Sequence, residues 1–378
     1  MTDSGRHAVG PHRGIVVTGS VFGAVALTIG AVAASLAVAM ARTVVSPPRK
    51  RKEDTAVLAV DRAAGTVTLG ATPDAVLPGH YSFWFAEGAG HARLGDVVSK
   101  SADTVTRTIL GVDHGDLEHA RRGRFNGWLY LSPADLGFDY ESVDVVTPVG
   151  VAPAWLVAAS SPTERWAIHV HGRAVTRAET LRGLPVFHGA DYTSLVVSYR
   201  NDGEAPASTD GKYALGDTEW RDVEAAVTFA LDHGARSIVL VGWSMGGATV
   251  LQMATRSSLA GVVRGIVLDS PVIDWKSALD FQAKLAHLPA CVGVAARSII
   301  GGSWGRVLTG QEWSIDLDRL DLVRTSAKLS VPILIMHSDD DGYVPSTASH
   351  ALALARPDIV TMETFENARH TKLWNYDP

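Results

Sequence analysis

The sequence predicts an α/β protein with a mostly parallel central sheet, helices on both faces and a helical cap insertion. A small β-rich region and one transmembrane helix precede it. Three observations predict this. From about residue 151, short apolar β-runs alternate with helical stretches. Residues 54–150 hold short β-runs broken by Gly65, Pro73, Gly79 and Gly88. Residues 14–41 contain no charged side chain.

Composition bounds the chemistry. With 378 residues, 46% hydrophobic and 20% charged, the chain supports one large core and an accessory part. One cysteine, Cys291, excludes an intrachain disulfide and a cysteine-rich zinc site. Residues 1–53 carry seven Lys or Arg against two Asp or Glu, a balance of +5. The whole chain is −6, so the remainder carries −11. A body that acidic is a poor partner for nucleic acid.

The N-terminal tail, the span and a basic linker make up residues 1–53. The uncharged run is flanked by Arg13 and Arg42 and exceeds the roughly 20 residues that a helix needs to cross hydrocarbon. It predicts an uncleaved, single-pass anchor at about residues 15–41. A cleaved signal is the rival reading, because Ala37, Ala39 and Ala41 are small. Arg42, Arg49, Lys50, Arg51 and Lys52 follow the run, so charge bias places the body in the cytoplasm. Gly19 and Gly23 form a G-x-x-x-G, a spacing that arises by chance in so Gly- and Ala-rich a segment. The oligomeric state is not legible here.

Residues 54–150 form the accessory region. Its strands are expected at Ala56–Val60, Thr66–Leu69, Tyr81–Phe85 and Val143–Val146. His80, His91, His114 and His119 stand at no metal-ligand spacing.

The body, 151–378, reads strand 165–170, helix 174–184, strand 194–198, helix 217–233, strand 237–241 and helix 246–256. Further strands follow at 263–268, 333–336 and 358–363. Asp217 suits an N-cap and Gly234 a helix end. Trp220, Val223, Val227, Ala230 and Leu231 make one apolar stripe between them. Residues 271–330, with Trp275, Trp304 and Trp313, break the alternation as a helical cap.

One constellation carries chemistry. Ser237-Ile-Val-Leu-Val-Gly-Trp-Ser-Met-Gly-Gly runs from strand to helix through G-x-S-x-G. Such a turn lifts the Ser244 hydroxyl above the strand ends, at the positive end of the following helix. A serine needs a base, and the base needs an orienting acid. His370 follows the last strand in a loop, whereas His350 sits in a helical pattern. For the acid, Asp339, Asp340 and Asp341 all follow strand 333–336, and Asp269 follows the strand before. An oxyanion needs two amide donors: Met245, after the serine, and Arg173, in the loop His169-Val-His-Gly-Arg. The His169/His171 pair lacks the further ligands of a metal site. Gly242–Gly247 has Ala248 where a P-loop needs lysine, and Gly88-Ala-Gly90 has Arg93 where a dinucleotide motif needs its third glycine. No metal or cofactor is expected.

These residues resemble the α/β-hydrolase superfamily, in its esterase and prolyl-oligopeptidase-like branches, over about residues 151–378. The resemblance rests on His171-Gly172, Ser198-Tyr-Arg-Asn-Asp202, Gly242-Trp-Ser-Met-Gly-Gly247, Leu268-Asp-Ser-Pro271, Asp341-Gly-Tyr-Val-Pro345 and His370. It implies the α/β-hydrolase fold and a triad in the order Ser244, Asp341, His370. In the family pattern His-Gly-x-x-Asp-x-x-Val-Pro, the acid aligns with Asp341. Ser338 stands in place of that glycine. The resemblance also implies a helix after the histidine, where this sequence has eight residues left. Either the helix is dispensable, another segment replaces it, or the polypeptide is shortened; if it is absent, apolar surface near the last strand is exposed.

The function expected is a membrane-anchored serine hydrolase that cleaves small-molecule or lipid-like carboxylic esters. A serine peptidase of the prolyl-oligopeptidase-like type is the alternative enzyme. A non-catalytic binding protein on the same fold is the alternative outside enzymes.

Overall fold

The structure, a computed structural model, describes residues 30–48 and 50–376. A helix, α1, occupies residues 30–45. Ala37, Ala41 and Val45, spaced four apart on one face, are fully buried in the main hydrophobic core. Only the second half of the expected span lies within the described residues. That half is a helix seated on the body, because a run of small apolar residues fits a protein core as readily as lipid. The first half lies outside the described residues. Among the described residues, no helix is long and apolar enough to cross a membrane.

Six strands then close a small antiparallel barrel. They are β1 (Thr55–Asp61), β2 (Thr66–Gly70), β3 (Tyr81–Phe85), β4 (Gly90–Lys100), β5 (Thr104–His114) and β6 (Arg122–Asn126), in the order β1-β2-β5-β4-β3-β6. Closure through β1 and β6 leaves no free edge. Val67, Leu69, Tyr81, Phe83, Leu94 and Phe125 fill the interior. Arg107 is buried among them. It donates to the carbonyls of Gly95, Ala75 and Leu77 at 2.8, 3.0 and 2.6 Å, and to that of Gly79. A buried guanidinium is tolerated because its donors meet acceptors.

The predicted α/β body follows as an eight-stranded sheet. Its strands are β7 (Glu141–Thr147), β8 (Gly150–Val157), β9 (Arg165–Val170), β10 (Thr193–Val197), β11 (Ser237–Trp243), β12 (Val263–Asp269), β13 (Ile333–Ser338) and β14 (Val360–Phe365). The order is β14-β13-β12-β11-β9-β10-β8-β7. The strands from β10 to β14 in that order are parallel, while β8 runs antiparallel to both of its neighbours, β10 and β7. The sequence reading assigned β7 to the accessory region. It instead joins β8 through a tight hairpin, in which Thr147 Oγ1 donates to Gly150 O at 2.6 Å, so the large sheet begins before residue 151.

Helices α2 (Leu184–Gly189), α3 (Trp220–Asp232), α4 (Met245–Arg256) and α8 (Thr347–Ala355) cover the sheet. In α3, Val223, Ala226, Val227 and Ala230 face the core. Asp217 does not cap α3. Its carboxylate is held by Arg256 and Arg319, each at 2.7 Å, and two guanidiniums outcompete one backbone amide. Between β12 and β13 stand α5 (Trp275–Leu285), α6 (Ala290–Gly301) and α7 (Arg306–Thr309), the helical insertion. After His370 the described chain forms only the one-turn α9 (Leu373–Tyr376). Beside it, an apolar groove of about 410 Å³ opens on the sheet, lined in part by Val186, Tyr192, Val239, Val267 and Leu334.

Candidate active site

The chain leaves β9 for β10 on one side and returns to β11 on the other. The C-terminal ends of β9 and β11 therefore flank a topological switch point, where open α/β sheets build their sites. Ser244 sits at that point, between β11 and α4, with φ 51° and ψ −116°. This backbone is unfavourable for a residue with a Cβ, by about 1–3 kcal/mol. Neighbouring bonds enforce it. Ser244 N–H donates to Asp269 O at 2.9 Å, and Ser244 O accepts from Val272 and Gly247 at 3.1 and 3.0 Å. The glycines have a steric reason. A methyl at Gly246 would stand 2.2 Å from Val170 O, and one at Gly242 would stand 2.7 Å from Gly247 N.

Ser244 Oγ lies 3.0 Å from His370 Nε2, and His370 Nδ1 lies 2.6 Å from Asp341 Oδ2. A carboxylate only accepts, so Nδ1 carries the proton and Nε2 offers its lone pair to the serine. The other carboxylate oxygen, Oδ1, accepts from the amides of Tyr343 and Val344 at 2.7 and 2.8 Å. His337 Nε2 stands 3.2 Å from Oδ2. Burial opposes ionisation of Asp341. The charge of His370 and the hydrogen bonds of both histidines outweigh it and hold the carboxyl well below its ordinary range.

The other candidate acids go elsewhere. Asp339 binds Ser346 and His350, at 2.6 and 3.0 Å. Asp340 binds Ser338 and the Arg369 amide, at 2.6 and 2.9 Å. Asp269 accepts from Ser270 Oγ at 2.8 Å, and its Oδ2 has no partner among the described residues. Burial pushes its carboxyl up to about 6, although Arg182 pulls it down.

The Met245 amide opens α4, where no intrahelical acceptor exists. The Arg173 amide donates to nothing among the described residues. Met245 follows Ser244 directly, and a methyl at Gly172, the residue before Arg173, would stand 3.2 Å from Ser244 Cβ. The loop that carries Arg173 is pinned from within. Gly172 N–H donates to Glu179 at 2.8 Å, and Tyr199 Oη donates to Gly172 O at 2.8 Å. His171 stacks on Tyr199 with ring centroids 4.2 Å apart, and its Nε2 meets Asp202 at 3.1 Å. His169 belongs to a separate packing layer. Its Nε2 meets Ser194 Oγ at 3.2 Å, and burial lowers the imidazole to about 3. Among the described residues, no group of three His, Cys, Asp or Glu could hold a metal.

Several contributors were invisible in the sequence. Asp74, just after β2 of the barrel, reaches Arg369 at 3.3 Å and Lys372 at 3.2 Å, on either side of His370. Asn375 donates to the barrel carbonyls of His80 and Gly127 at 2.8 and 3.0 Å. Arg369 and Thr371 both have positive φ, 60° and 49°. The accessory barrel thus braces a strained loop. His337 lay inside the motif that carried Asp341, but nothing local signalled that it touches that carboxylate.

Residues 167–378 match the Alpha/beta hydrolase family, and residues 56–126 match a family described as a domain of unknown function. No curated protein matches the chain. Among solved structures, the Pyrococcus furiosus esterase Pf2001 is similar at 18% identity, over 64% of this chain and 87% of that one, with a TM-score of 0.49. Est1E from Butyrivibrio proteoclasticus, with ferulic acid bound, is similar at 16% identity, over 61% and 92%, with a TM-score of 0.46. The esterase RhEst1 from a Rhodococcus species is similar at 18% identity, over 63% and 94%, with a TM-score of 0.43. The first of these matches spans more than half of the sequence, and the chain belongs to the alpha/beta hydrolase family.

Proposed function

We propose that this chain is a serine hydrolase of carboxylic esters, with Ser244 as nucleophile, His370 as base and Asp341 as its orienting acid. One observation carries the reading. The hydroxyl, the imidazole and the carboxylate form a continuous hydrogen-bonded chain, with steps of 3.0 and 2.6 Å, at the switch point of the sheet. In this mechanism Ser244 Oγ attacks the ester carbonyl carbon while His370 Nε2 takes its proton. The amides of Met245 and Arg173 hold the developing oxyanion. The intermediate collapses, the C–O bond to the alcohol breaks, and His370 returns the proton to the departing oxygen. Water then attacks the acyl-enzyme with His370 as base, which releases the acid and restores Ser244. The α5–α7 insertion bounds the acyl or alcohol pocket in this reading.

The test is hydrolysis of p-nitrophenyl acetate, together with fluorophosphonate labelling. Wild type is compared with Ser244→Ala and His370→Ala. Loss of about 10⁴–10⁶ in rate in either variant is expected. Wild-type turnover in Ser244→Ala overturns the proposal. Labelling of wild type without ester turnover would point to a peptidase instead.

Membrane attachment, a cytoplasmic body and a lipid-like substrate form a separate proposal. It rests on the uncharged sequence of residues 14–41 and the basic residues after it. Flotation of the full chain with liposomes tests it, and recovery in the unbound fraction counts against it.

A further inference from the structure

The end of α1 and the oxyanion loop are fastened together. Arg173 Nε donates to Val44 O at 2.9 Å, and its Nη2 donates to Ser46 O at 2.8 Å and to Thr43 O. The last four carbonyls of a helix have no intrahelical donors, and they carry partial negative charge. A guanidinium fork answers both needs at once. Tyr213 serves the same junction. Its N–H donates to Val45 O at 2.7 Å, its hydroxyl accepts from Ala174 N–H at 3.3 Å, and the Arg173 guanidinium lies over its ring at 5.4 Å. Lys212 Nζ donates to Ser46 Oγ at 2.8 Å.

The fastening acts on a strained loop. Ala174 has φ 62°, a left-handed conformation that costs a residue with a Cβ about 1–2 kcal/mol. The inner contacts grip Gly172, and the contacts to α1 are what grip Arg173 itself. The Arg173 N–H shares a planar peptide unit with Gly172 O, which Tyr199 and His171 hold, each at 2.8 Å, so these contacts set one end of the plane and the Arg173 side chain, anchored to chain about 130 residues earlier, secures the other at its own Cα.

We propose that the C-terminal turn of α1 is a positioning element of the oxyanion site and acts through the Arg173 side chain. This rests on the hydrolytic reading, in which the Arg173 amide touches the oxyanion. The side chain itself touches no reacting atom. Shifting an active-site group by about 1 Å costs up to about 10²-fold in rate, and removing an oxyanion donor costs about 10²–10³-fold.

The experiment uses the full chain. Arg173→Ala keeps the amide and removes the anchor. It should lower kcat for p-nitrophenyl acetate by about 10–100-fold with KM within about twofold. The affinity of a trifluoromethyl ketone, which mimics the tetrahedral intermediate, should fall by the same factor. Arg173→Lys keeps the charge without the fork and should recover only part of the loss. Ala41→Glu places a charge at a fully buried position of α1 and should unseat the helix. Combined with Arg173→Ala, it should give no loss beyond the larger single effect, because both break one linkage. Hydrogen exchange adds a readout independent of turnover. Arg173→Ala should speed exchange in residues 43–46 and 171–176 together and leave the barrel unchanged. Wild-type kcat, inhibitor affinity and exchange in Arg173→Ala overturn the inference. Turnover by the wild-type chain that does not depend on Ser244 counts instead against the hydrolytic reading.

Discussion

Replacing Asp341 by Asn keeps the shape of the side chain and removes its charge and half of its acceptors. In the native site every lone pair is committed. Oδ1 takes the Tyr343 and Val344 amides at 2.7 and 2.8 Å, and Oδ2 takes His370 at 2.6 Å with His337 at 3.2 Å. An asparagine satisfies only one of these sides. If its oxygen faces the histidines, its NH₂ meets two buried backbone donors, at about 1–3 kcal/mol for each orphaned amide. If its oxygen keeps the backbone amides, its NH₂ faces His370 Nδ1 and forces the proton onto Nε2. That tautomer donates toward Ser244 and cannot accept from it. The second orientation is cheaper, so the inactive tautomer is the one populated. The expected loss is about 10⁴ in kcat/KM, or about 5 kcal/mol of transition-state stabilisation, with KM little changed. Initial rates on p-nitrophenyl acetate measure it. Activity of Asp341→Asn within tenfold of wild type refutes the reasoning. A 10⁴ loss in Asp269→Asn alone would transfer the role to that acid.

Two further outcomes follow from the same geometry. Asp74→Ala removes a partly exposed ion-pair network worth about 1 kcal/mol of stability. By loosening the His370 loop it should lower kcat three- to tenfold, by the sensitivity of rate to placement, and an unchanged kcat in a folded variant sinks this. Asp269 is raised from 3.8 to about 6 when folded, so the stability it contributes is complete below about pH 4 and is lost as pH rises through 6. Against Asp269→Asn in urea melts, wild type should lose up to about 3 kcal/mol between pH 4 and 8. A difference that stays constant with pH contradicts it.

What could be read from the sequence was what is enforced locally. The turn at Ser244 needs glycine at 242 and 246 because backbone passes within 3 Å of both positions, so the demand is written beside the serine. His370 could be placed by its position after the last strand. The choice of Asp341 over its neighbours needed the family pattern, because three adjacent aspartates look alike until the backbone turns. Asp74 meets Arg369 across 295 residues, and nothing near either residue announces the pairing. Strands β4 and β5 escaped notice because register shifts break their alternation. The edge strand β7 was legible as a strand, but its sheet was not, since a β-run carries no label for its partner. The four-residue spacing of Ala37, Ala41 and Val45 was present in the sequence of α1. Uniform hydrophobicity around that stripe hid which face would be covered.

The seating of α1 also has a consequence for how the chain is made. Arg42 Nε donates to Leu308 O, a partner 266 residues downstream. At about 5–20 residues per second, a ribosome needs roughly 15–50 s to go from one to the other. For that interval Ala37, Ala41 and Val45 have been synthesised and their full berth has not. The helix is made well before its full berth. A slow stretch of translation between residues 46 and 308 lengthens the wait, and with it the time in which anything else that binds an apolar helix competes for the segment.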